Sequence, residues 1–170
     1  GAGDYSNRES CYWVISAIGA EVVLSFPSFS TESGYDFVWI YECSSSSSAT
    51  QCSSSNQIAK LHGSSVGSST VYKSSTGFLQ VKFISDSSVT RAGFEARWEA
   101  RCRAGEYLSA SDPTSCSPCN AAPGFFCVLS STVTSTSAGI ACPVGHYCVG
   151  GTNDKRACIP GTFASSGASS

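Results

Sequence analysis

The stretch GFEARWEA, residues 93–100, alternates apolar with charged side chains at every second position. An extended chain places Phe94 and Trp98 on one face and Glu95 and Arg97 on the other. A period of two is typical of a β-strand that has one buried and one solvated face. This stretch therefore predicts a half-buried strand.

Further short runs extend the same prediction through the first hundred residues. FLQVKF at 78–83 alternates in the same way, and CYWVI, EVVLSF and YDFVWIYE are rich in β-branched and aromatic residues. Clusters of Gly, Ser and Pro bound these runs, and no window shows an apolar helical stripe ten residues long. The pattern predicts an all-β, antiparallel sandwich over residues 1–101, with inward Trp, Phe, Val and Leu side chains.

Composition narrows the class of protein. The 170 residues carry ten cysteines, no methionine and a formal net charge of −2. Cysteine use on this scale favours an oxidising compartment, so we expect a secreted or extracellular protein. A nucleic acid is not expected as a partner because there is no basic field to hold its backbone. The longest apolar runs are far shorter than the roughly 20 residues of a membrane-spanning helix, so no membrane insertion is expected in this segment.

The chain changes character after residue 101. Residues 102–170 hold seven of the cysteines, and a unit recurs in CRAGEY, CNAAPGFF, CPVGHY and CIPGTF, where a Cys precedes a Gly that an aromatic residue soon follows. We expect each Gly to take a positive φ in a turn, within a small, disulfide-rich and mostly irregular segment. The fourth unit is cut short, which predicts a piece of a longer, repeat-bearing protein.

Two carboxylates stand close together in TESGYDF, residues 31–37. Glu32 and Asp36 either repel each other or share a cation. The plainer alternative is that both are solvated residues of a surface turn, where acids are common.

The first region resembles a CUB domain, an extracellular β-sandwich with a jelly-roll-like topology. The resemblance lies in CYWVI, VVLSFPSFSTESGYDFVWIY, IAKLHG and STGFLQVKFISDSSVTRAGFEARW. It covers roughly residues 5–100. The cysteine-rich segment looks like the repeats of ephrin receptors and tumour-necrosis-factor receptors, which is a looser pattern.

The resemblance implies a Ca²⁺ site. In calcium-binding CUB domains one Glu and two Asp hold the ion, and the matching positions here are Glu32, Asp36 and Asp86. Ca²⁺ takes six to eight oxygens at about 2.3–2.6 Å, so three carboxylates with carbonyls and waters form a plausible shell, to which Ser88 can add an oxygen. The alternative is that Asp86 caps a β-turn through its own backbone. An N-terminal tyrosine supports the site in related domains, which suggests the same role for Tyr5.

The chain departs from the family at its cysteines. Many CUB domains carry cysteines where this chain has Gly34 and His62, so the usual second disulfide is absent. Cys43 and Cys52 bracket a serine-rich loop and could close it instead. Cys11 matches a family cysteine whose partner lies earlier in the module; it could reach Cys102 or bond to another chain. By resemblance to the receptor-type repeats, Cys102 is expected to pair with Cys116.

No catalytic site is evident, and the protein is not expected to be an enzyme. CSPC at 116–119 suits a disulfide framework better than a zinc or redox site, since the chain has two histidines and lacks a βαβ context. The serine and threonine runs are candidate acceptors of O-linked glycans in a secreted chain. The candidates are Ser44, Ser45, Ser46, Ser47, Ser48, Thr132, Thr134 and Thr136.

Two functions remain open. The first is a non-catalytic building block, calcium-stiffened and glycosylated, of a surface coat or an extracellular fibre, which assembles with itself. The second is a binding module of a receptor-like ectodomain, or the accessory region of a secreted protease, that accepts a Lys or Arg of an extracellular protein at Glu32 and Asp86.

Overall fold

The computed structural model describes residues 3–44, 52, 56–64, 66–103, 105–109, 112, 114–127, 139–162 and 164–169. These fall into two compact units, Gly1–Glu99 and Ala100–Ser170, and every regular element in them is a β-strand. Within this part of the chain, no helix has the length and apolar character needed to cross a bilayer.

The first sheet of the first unit has four strands. They are β1 (Ser10–Ser16), β3 (Phe37–Glu42), β4 (Gln57–Leu61) and β6 (Phe78–Ile84). Their order across the sheet is β1-β6-β3-β4, and each neighbouring pair is antiparallel. The strand β1 therefore lies at an edge.

The second sheet has three strands in the order β5-β2-β7. They are β2 (Glu21–Ser30), β5 (Val71–Ser74) and β7 (Gly93–Arg101). The strand β7 is at an edge of this sheet, as β1 is in the first. The predicted antiparallel sandwich is thus confirmed.

The core of the sandwich is built from alternate positions of the central strands. Leu24 and Phe26 of β2 have no exposed surface, and neither do Ile40 of β3 and Leu79 of β6. Burying each such side chain contributes about 1.5–3 kcal/mol. Phe94 of β7 joins the sheets, since its ring lies 5.7 Å from the ring of Phe26 and 5.7 Å from that of Phe83.

The predicted alternation holds for only part of β7. Phe94 packs into the core as expected, but Trp98 on the same face is 42% exposed. In β6, Leu79, Val81 and Phe83 are buried as expected, while Gln80, expected to be wet, is also buried. The prediction was wrong at Trp98 because β7 is an edge strand and its residues 95–99 are exposed. It was wrong at Gln80 because β6 is a central strand.

The second unit is made of three small antiparallel ladders. They pair β8 (Glu106–Leu108) with β9 (Cys116–Pro118), β10 (Phe125–Phe126) with β11 (Ile140–Ala141), and β12 (His146–Tyr147) with β13 (Arg156–Ala157). Disulfides join Cys102 to Cys116, Cys119 to Cys127 and Cys142 to Cys148. In this unit, where the strands are short, disulfide bonds stabilise the fold.

The recurring glycines give the second unit a regular backbone pattern. Each takes a positive φ as predicted: Gly105, Gly124, Gly145 and Gly161. The carbonyls of the first three accept a hydrogen bond from the amide of the following unit's first cysteine, which is Cys119, Cys142 and Cys158 respectively. A side chain could not replace Gly124, since a Cβ there would lie 2.2 Å from the carbonyl oxygen of Gly167. The repeat is therefore a repeat of hydrogen bonds as well as of sequence.

Two cysteines among the described residues are free. They are Cys11 on β1 and Cys158, and both are partly buried. The suggested pairing of Cys11 with Cys102 is wrong, because Cys102 is bonded to Cys116 and Cys11 lies in the other unit. The thiol of Cys11 instead donates to a carboxylate oxygen of Glu9 at 3.5 Å.

Candidate metal centre

Strand register brings two distant loops of the sandwich together. Phe37, the first residue of β3, is paired with Ile84, the last residue of β6. The loop before β3 (residues 31–36) and the loop after β6 (residues 85–92) therefore leave the sheet at the same end. Each loop carries acidic side chains to that end.

Three carboxylates converge between these loops. One oxygen from each of Glu32, Asp36 and Asp86 lies within 4.8 Å of the others. Two oxygens bound to one Ca²⁺ at about 2.3–2.6 Å can be no more than about 5 Å apart, so this spacing is compatible with a shared ion. The residues are separated by up to 54 positions (86 − 32) in the sequence.

Asp36 is the fixed member of the cluster. It is fully buried, and its Oδ1 accepts a hydrogen bond from the amide of Asp86 at 2.8 Å. Its Oδ2 accepts a short hydrogen bond from the hydroxyl of Tyr5. A buried carboxylate is tolerated only where such donors replace water. Asp36 thus ties the two loops together and leaves little freedom to its own side chain.

Tyr5 supports the cluster from the N-terminal segment. Its hydroxyl oxygen accepts a hydrogen bond from the amide of Glu32 at 3.0 Å, and its own amide donates to the carbonyl of Arg91 at 3.0 Å. Burial and the hydrogen bond to Asp36 raise the pKa of Tyr5 to about 12. The phenol therefore stays protonated and keeps donating to the carboxylate.

Glu32 is the unsatisfied member. Its Oε2 is buried, yet it has no hydrogen-bond partner among the described residues. Burial raises the pKa of this carboxyl, and the charges of Asp86 and Asp36 raise it further, while Arg91 partly opposes them. A buried oxygen without a donor is costly, and a cation would remove that cost.

Asp86 and Ser88 form a turn. The Oδ1 of Asp86 accepts a hydrogen bond from the amide of Ser88 at 2.9 Å, which is the self-capping geometry that the sequence left open as an alternative. This geometry leaves Oδ2 of Asp86 free of that bond. The side chain of Ser88 is exposed.

The donor set fits a hard cation. Three carboxylates supply oxygen ligands only, as Ca²⁺ prefers, and no sulfur or imidazole is among them. The buried, partnerless Oε2 of Glu32 is the specific feature that such an ion would complete. Glu32, Asp36 and Asp86 are the residues that would hold it.

The positions at which the family disulfide is absent carry a different contact. The amide of Gly34 donates to Nδ1 of His62 at 3.2 Å, and the amide of Gly63 donates to the hydroxyl of Thr31 at 3.0 Å. That hydroxyl also donates to the carbonyl of Asp36 at 3.1 Å. Hydrogen bonds therefore hold the acidic loop against residues 62–63. No signal in the sequence singles out Thr31, because hydroxyl side chains are abundant throughout the chain.

The other predicted site residues lie away from this cluster. Disulfides join Cys43 to Cys52 and Cys102 to Cys116. Ser44 is exposed. The remaining glycan candidates lie outside the described residues: Ser45, Ser46, Ser47, Ser48, Thr132, Thr134 and Thr136.

The fold and the site together define a β-sandwich module with three converging carboxylates in its loops. Residues 1–98 match the family model of the CUB domain. The chain belongs to the CUB domain family.

Similar proteins are modular and much longer. Human Cubilin is 34% identical over 110 residues, which are 62% of this chain and 3% of Cubilin. Tolloid-like protein 1 of Mus musculus is 32% identical over 103 residues, which are 58% of this chain and 9% of that protein. Among solved structures, the CUB1-EGF-CUB2 domain of human MASP-1/3 aligns at 21% identity and a TM-score of 0.48, covering 75% of this chain and 57% of that one.

Family membership sets the general class of function. CUB domains are extracellular modules that mediate protein–protein interactions and are not catalytic. The disulfides of this chain agree with an oxidising, extracellular setting.

Proposed function

We propose that the sandwich is a Ca²⁺-dependent docking module for an extracellular protein. One observation carries the proposal: three carboxylates from two loops converge within 4.8 Å, and one of their oxygens is buried without a hydrogen-bond partner among the described residues. A structural cluster of acids would not leave such an oxygen, since buried polar groups are otherwise satisfied.

Ca²⁺ supplies positive charge to three carboxylates whose mutual repulsion Arg91 opposes only in part. Glu32, Asp36 and Asp86 then do the protein's part: Asp36 anchors the loops, while Glu32 and Asp86, both half-exposed, can turn remaining oxygens toward solvent. Such oxygens accept hydrogen bonds from a Lys or Arg of a partner, and charge-assisted bonds of this kind are strong. The partner therefore presents a basic side chain.

Calcium titration and thermal unfolding test the site. We expect one bound Ca²⁺ by calorimetry and a melting temperature that chelator lowers, because an ion at 100 times its Kd stabilises the folded state by about 2.7 kcal/mol. Asp86→Asn should lose both effects. Glu95→Gln removes an exposed carboxylate from β7 and serves as the matched control. A wild-type protein that melts identically in calcium and in chelator refutes the site.

A second variant uses the unsatisfied oxygen itself. Glu32→Gln removes one of the three like charges, so in chelator it should be at least as stable as the wild type. In calcium it should be less stable, because a carboxylate ligand is lost. A variant that is at least as stable as the wild type in chelator but less stable than it in calcium is specific to a cation site. If Glu32 were purely structural, Glu32→Gln would change the stability in the same direction in both buffers.

A second candidate function is self-assembly, as a building block of a surface coat or an extracellular fibre. The observation that favours it is the exposure of aromatic side chains on both faces of the edge strand β1, where Tyr12 is 53% exposed and Trp13 is 48% exposed. The free, partly buried Cys11 lies beside them. Exposed aromatic residues on a strand edge are typical of contact surfaces.

Light scattering of the unreduced protein over a range of concentrations separates the two candidates. Growth with concentration that Tyr12→Ser with Trp13→Ser abolishes favours a building block. A monomer with and without calcium favours a docking module of a receptor-like ectodomain, or the accessory region of a secreted protease, which awaits a foreign partner. Calcium-dependent growth would place the acidic cluster at the self-contact.

We also propose that the serine and threonine runs carry O-linked glycans. The support is their composition and the extracellular character of the family. Mass spectrometry of peptides from the secreted protein tests this, and finding only unmodified peptides across the runs excludes it.

A further inference from the structure

A polar cleft adjoins the acidic cluster. It has a volume of about 440 Å³ and is lined by Ser30, Thr31, Ser33, His62, Gly63, Ser64 and Arg91. Every one of these is polar or glycine, so a ligand would be held by hydrogen bonds and charge rather than by apolar contact. Two lining residues, Thr31 and Ser33, are the chain neighbours of Glu32. The cleft and the acidic cluster are therefore two halves of one surface.

The charge of the cleft is opposite to that of the cluster. Arg91 is exposed, and its Nη1 donates to the carbonyl of Thr90 at 3.0 Å. The ion pairs of Lys73 with Glu21 and of Arg97 with Glu95 do not involve Arg91. Among the residues that the structure describes, the guanidinium of Arg91 forms no salt bridge. The cleft is also lined by Ser30, Ser33 and Ser64.

The two halves are held at a fixed spacing. Thr31 and Gly63 exchange two hydrogen bonds, from the amide of Thr31 to the carbonyl of Gly63 at 2.9 Å and from the amide of Gly63 to the Thr31 hydroxyl at 3.0 Å. Tyr5 joins the other wall, since its amide binds the carbonyl of Arg91 while its hydroxyl binds Asp36. Because their spacing is fixed, the cleft and the acidic cluster can bind a single ligand together.

We propose that the cleft is an anion subsite that takes the Asp or Glu side chain of a protein partner, next to the basic side chain that the acidic cluster receives. The inference rests on the proposed docking function and adds the partner's chemistry. The partner presents an extended segment with a basic residue and an acidic residue two positions apart, whose side chains share one face about 7 Å from each other.

The neighbouring carboxylates decide between a protein and a sulfated glycan as the source of the anion. A polyanionic sugar long enough to leave the cleft would be repelled by Glu32 and Asp86, whereas a segment of mixed charge gains at both halves. Specificity then comes from pairing unlike charges on both halves and from repelling a uniform charge on either one.

Peptide titration tests the subsite. The ¹⁵N-labelled chain is titrated in calcium and in chelator with the blocked peptide Gly-Lys-Gly-Glu-Gly and with its counterpart Gly-Lys-Gly-Gln-Gly, following amide shifts of Ser33, Gly63 and Ser64. We expect the Glu peptide to bind about threefold more tightly than the Gln peptide, which is the scale of one solvated ion pair. Arg91→Gln should abolish that preference. The matched control, Arg97→Gln, removes an exposed arginine from β7 and should retain it.

Each outcome decides the inference. Equal affinity for the two peptides, a preference that survives Arg91→Gln, or no shift with either peptide overturns it. A sulfated tetrasaccharide that displaces the Glu peptide overturns the protein source and assigns the cleft to glycans. A Glu preference that persists in chelator, in a protein that takes up no calcium, keeps the anion subsite while the calcium proposal fails.

Discussion

The two units of this chain are held together by different forces. The sandwich has strands of four to ten residues and side chains such as Leu24 and Phe26 with no exposed surface. The cysteine-rich unit has ladders of two or three residues, and its largest fully buried side chains are the half-cystines Cys127, Cys142 and Cys148. One unit relies on apolar burial, and the other relies on covalent bonds.

This difference also separates where function can sit. A sandwich with its own core can hold a buried, charged group such as Asp36 at the end of its strands, because packing elsewhere offsets the cost. The core cluster of the second unit is small, formed by Cys119, Ala121 and Cys127 with Tyr107 packed against it, and it has little to offset such a cost. In the cysteine-rich unit the polar groups are used instead to join successive repeats, as the side chain of Asn153 does.

Reduction is expected to have the largest effect. It also opens the disulfide between Cys43 and Cys52 in the sandwich, but it should unfold only the second unit, because the sandwich has its own apolar core. Each of the disulfides 102–116, 119–127 and 142–148 closes a loop of 6–14 residues, and such a bond contributes about 2–3 kcal/mol. Their loss should unfold the second unit and leave the sandwich folded. Trp13, Trp39 and Trp98 all lie in the first unit, so tryptophan emission should not change.

Tryptophan emission reports on the first unit only, so hydrogen exchange is needed to follow the second unit during reduction. Amide protection at Cys119, Cys142 and Cys158 should vanish on reduction, because their hydrogen bonds to glycine carbonyls depend on the cross-links. If tryptophan emission shifts at the same reductant concentration, the two units are not independent and the comparison is wrong.

A substitution in the core of the sandwich should destabilise the sandwich and leave the second unit folded. Phe26→Ala removes a fully buried ring that contacts Phe29, Tyr72 and Phe94, and should cost about 3–5 kcal/mol of the sandwich's unfolding free energy. Phe125→Ala in the second unit is the control. That ring is 40% exposed, so its loss should cost under about 1 kcal/mol. Urea unfolding followed by tryptophan emission and by exchange measures both, and similar costs would contradict a core confined to the sandwich.

The next largest effect is expected from the side chain of Asn153, whose hydrogen bonds form a polar clamp in the second unit. Asn153 accepts a short hydrogen bond from the amide of Gly105 and donates to the carbonyls of Glu106 and Cys127, at 2.9 and 3.0 Å. Asn153→Ala leaves these partly buried groups unpaired and should cost about 1–3 kcal/mol. Faster exchange at Gly105 is the expected signature. Asp154→Ala, at the exposed neighbour, should leave that exchange rate unchanged.

How much the sequence could predict follows the same division. Period-two patterns in β6 and β7, and β-branched and aromatic runs in β2 and β3, indicate the sandwich, because burial on one face imposes that period. Glu32 and Asp36 stand out in the sequence as a close pair, and Asp86 was found through the family resemblance, while the supporting contacts of Thr31 and Arg91 were not found. These depend on which loops the strand register brings together, as Phe37 opposite Ile84 shows, and register is a tertiary property.

In the second unit the turn glycines were predictable, since a backbone position with a positive φ favours glycine. Cross-strand pairing was not. Ladders of two residues are too short to show a period, and a residue such as Asn153 has no local signature that distinguishes a clamp from a solvated loop. The partnerless Cys158 could not be recognised either, because spacing does not determine which cysteines pair.

The sandwich has its own polar clamp, and it should matter least. Oε1 of Glu42 accepts hydrogen bonds from the hydroxyl of Ser74 at 3.0 Å and from the amides of Ser75 and Thr76 at 2.8 and 3.3 Å. Burial on its own would raise the pKa of Glu42, but these donors outweigh it and lower the pKa below the ordinary value of 4.5. Deprotonated Glu42 therefore stabilises the turn between β5 and β6.

The pH dependence of that clamp follows from the direction of its pKa. A carboxyl whose pKa is lower in the folded state contributes its full stability above its unfolded pKa and loses it as the pH falls through the folded value. The contribution should be a few tenths of a kcal/mol, because Glu42 is partly solvated. We expect the stability difference between wild type and Glu42→Gln, measured in chelator, to shrink from pH 6 to about pH 3. Taking this difference removes the opposing effect of Glu32, whose raised pKa acts equally in both proteins. A stability difference that is constant across this pH range means that Glu42 acts through packing. If Glu42→Gln costs more stability than Asn153→Ala, polar clamps support the sandwich as much as they support the repeats.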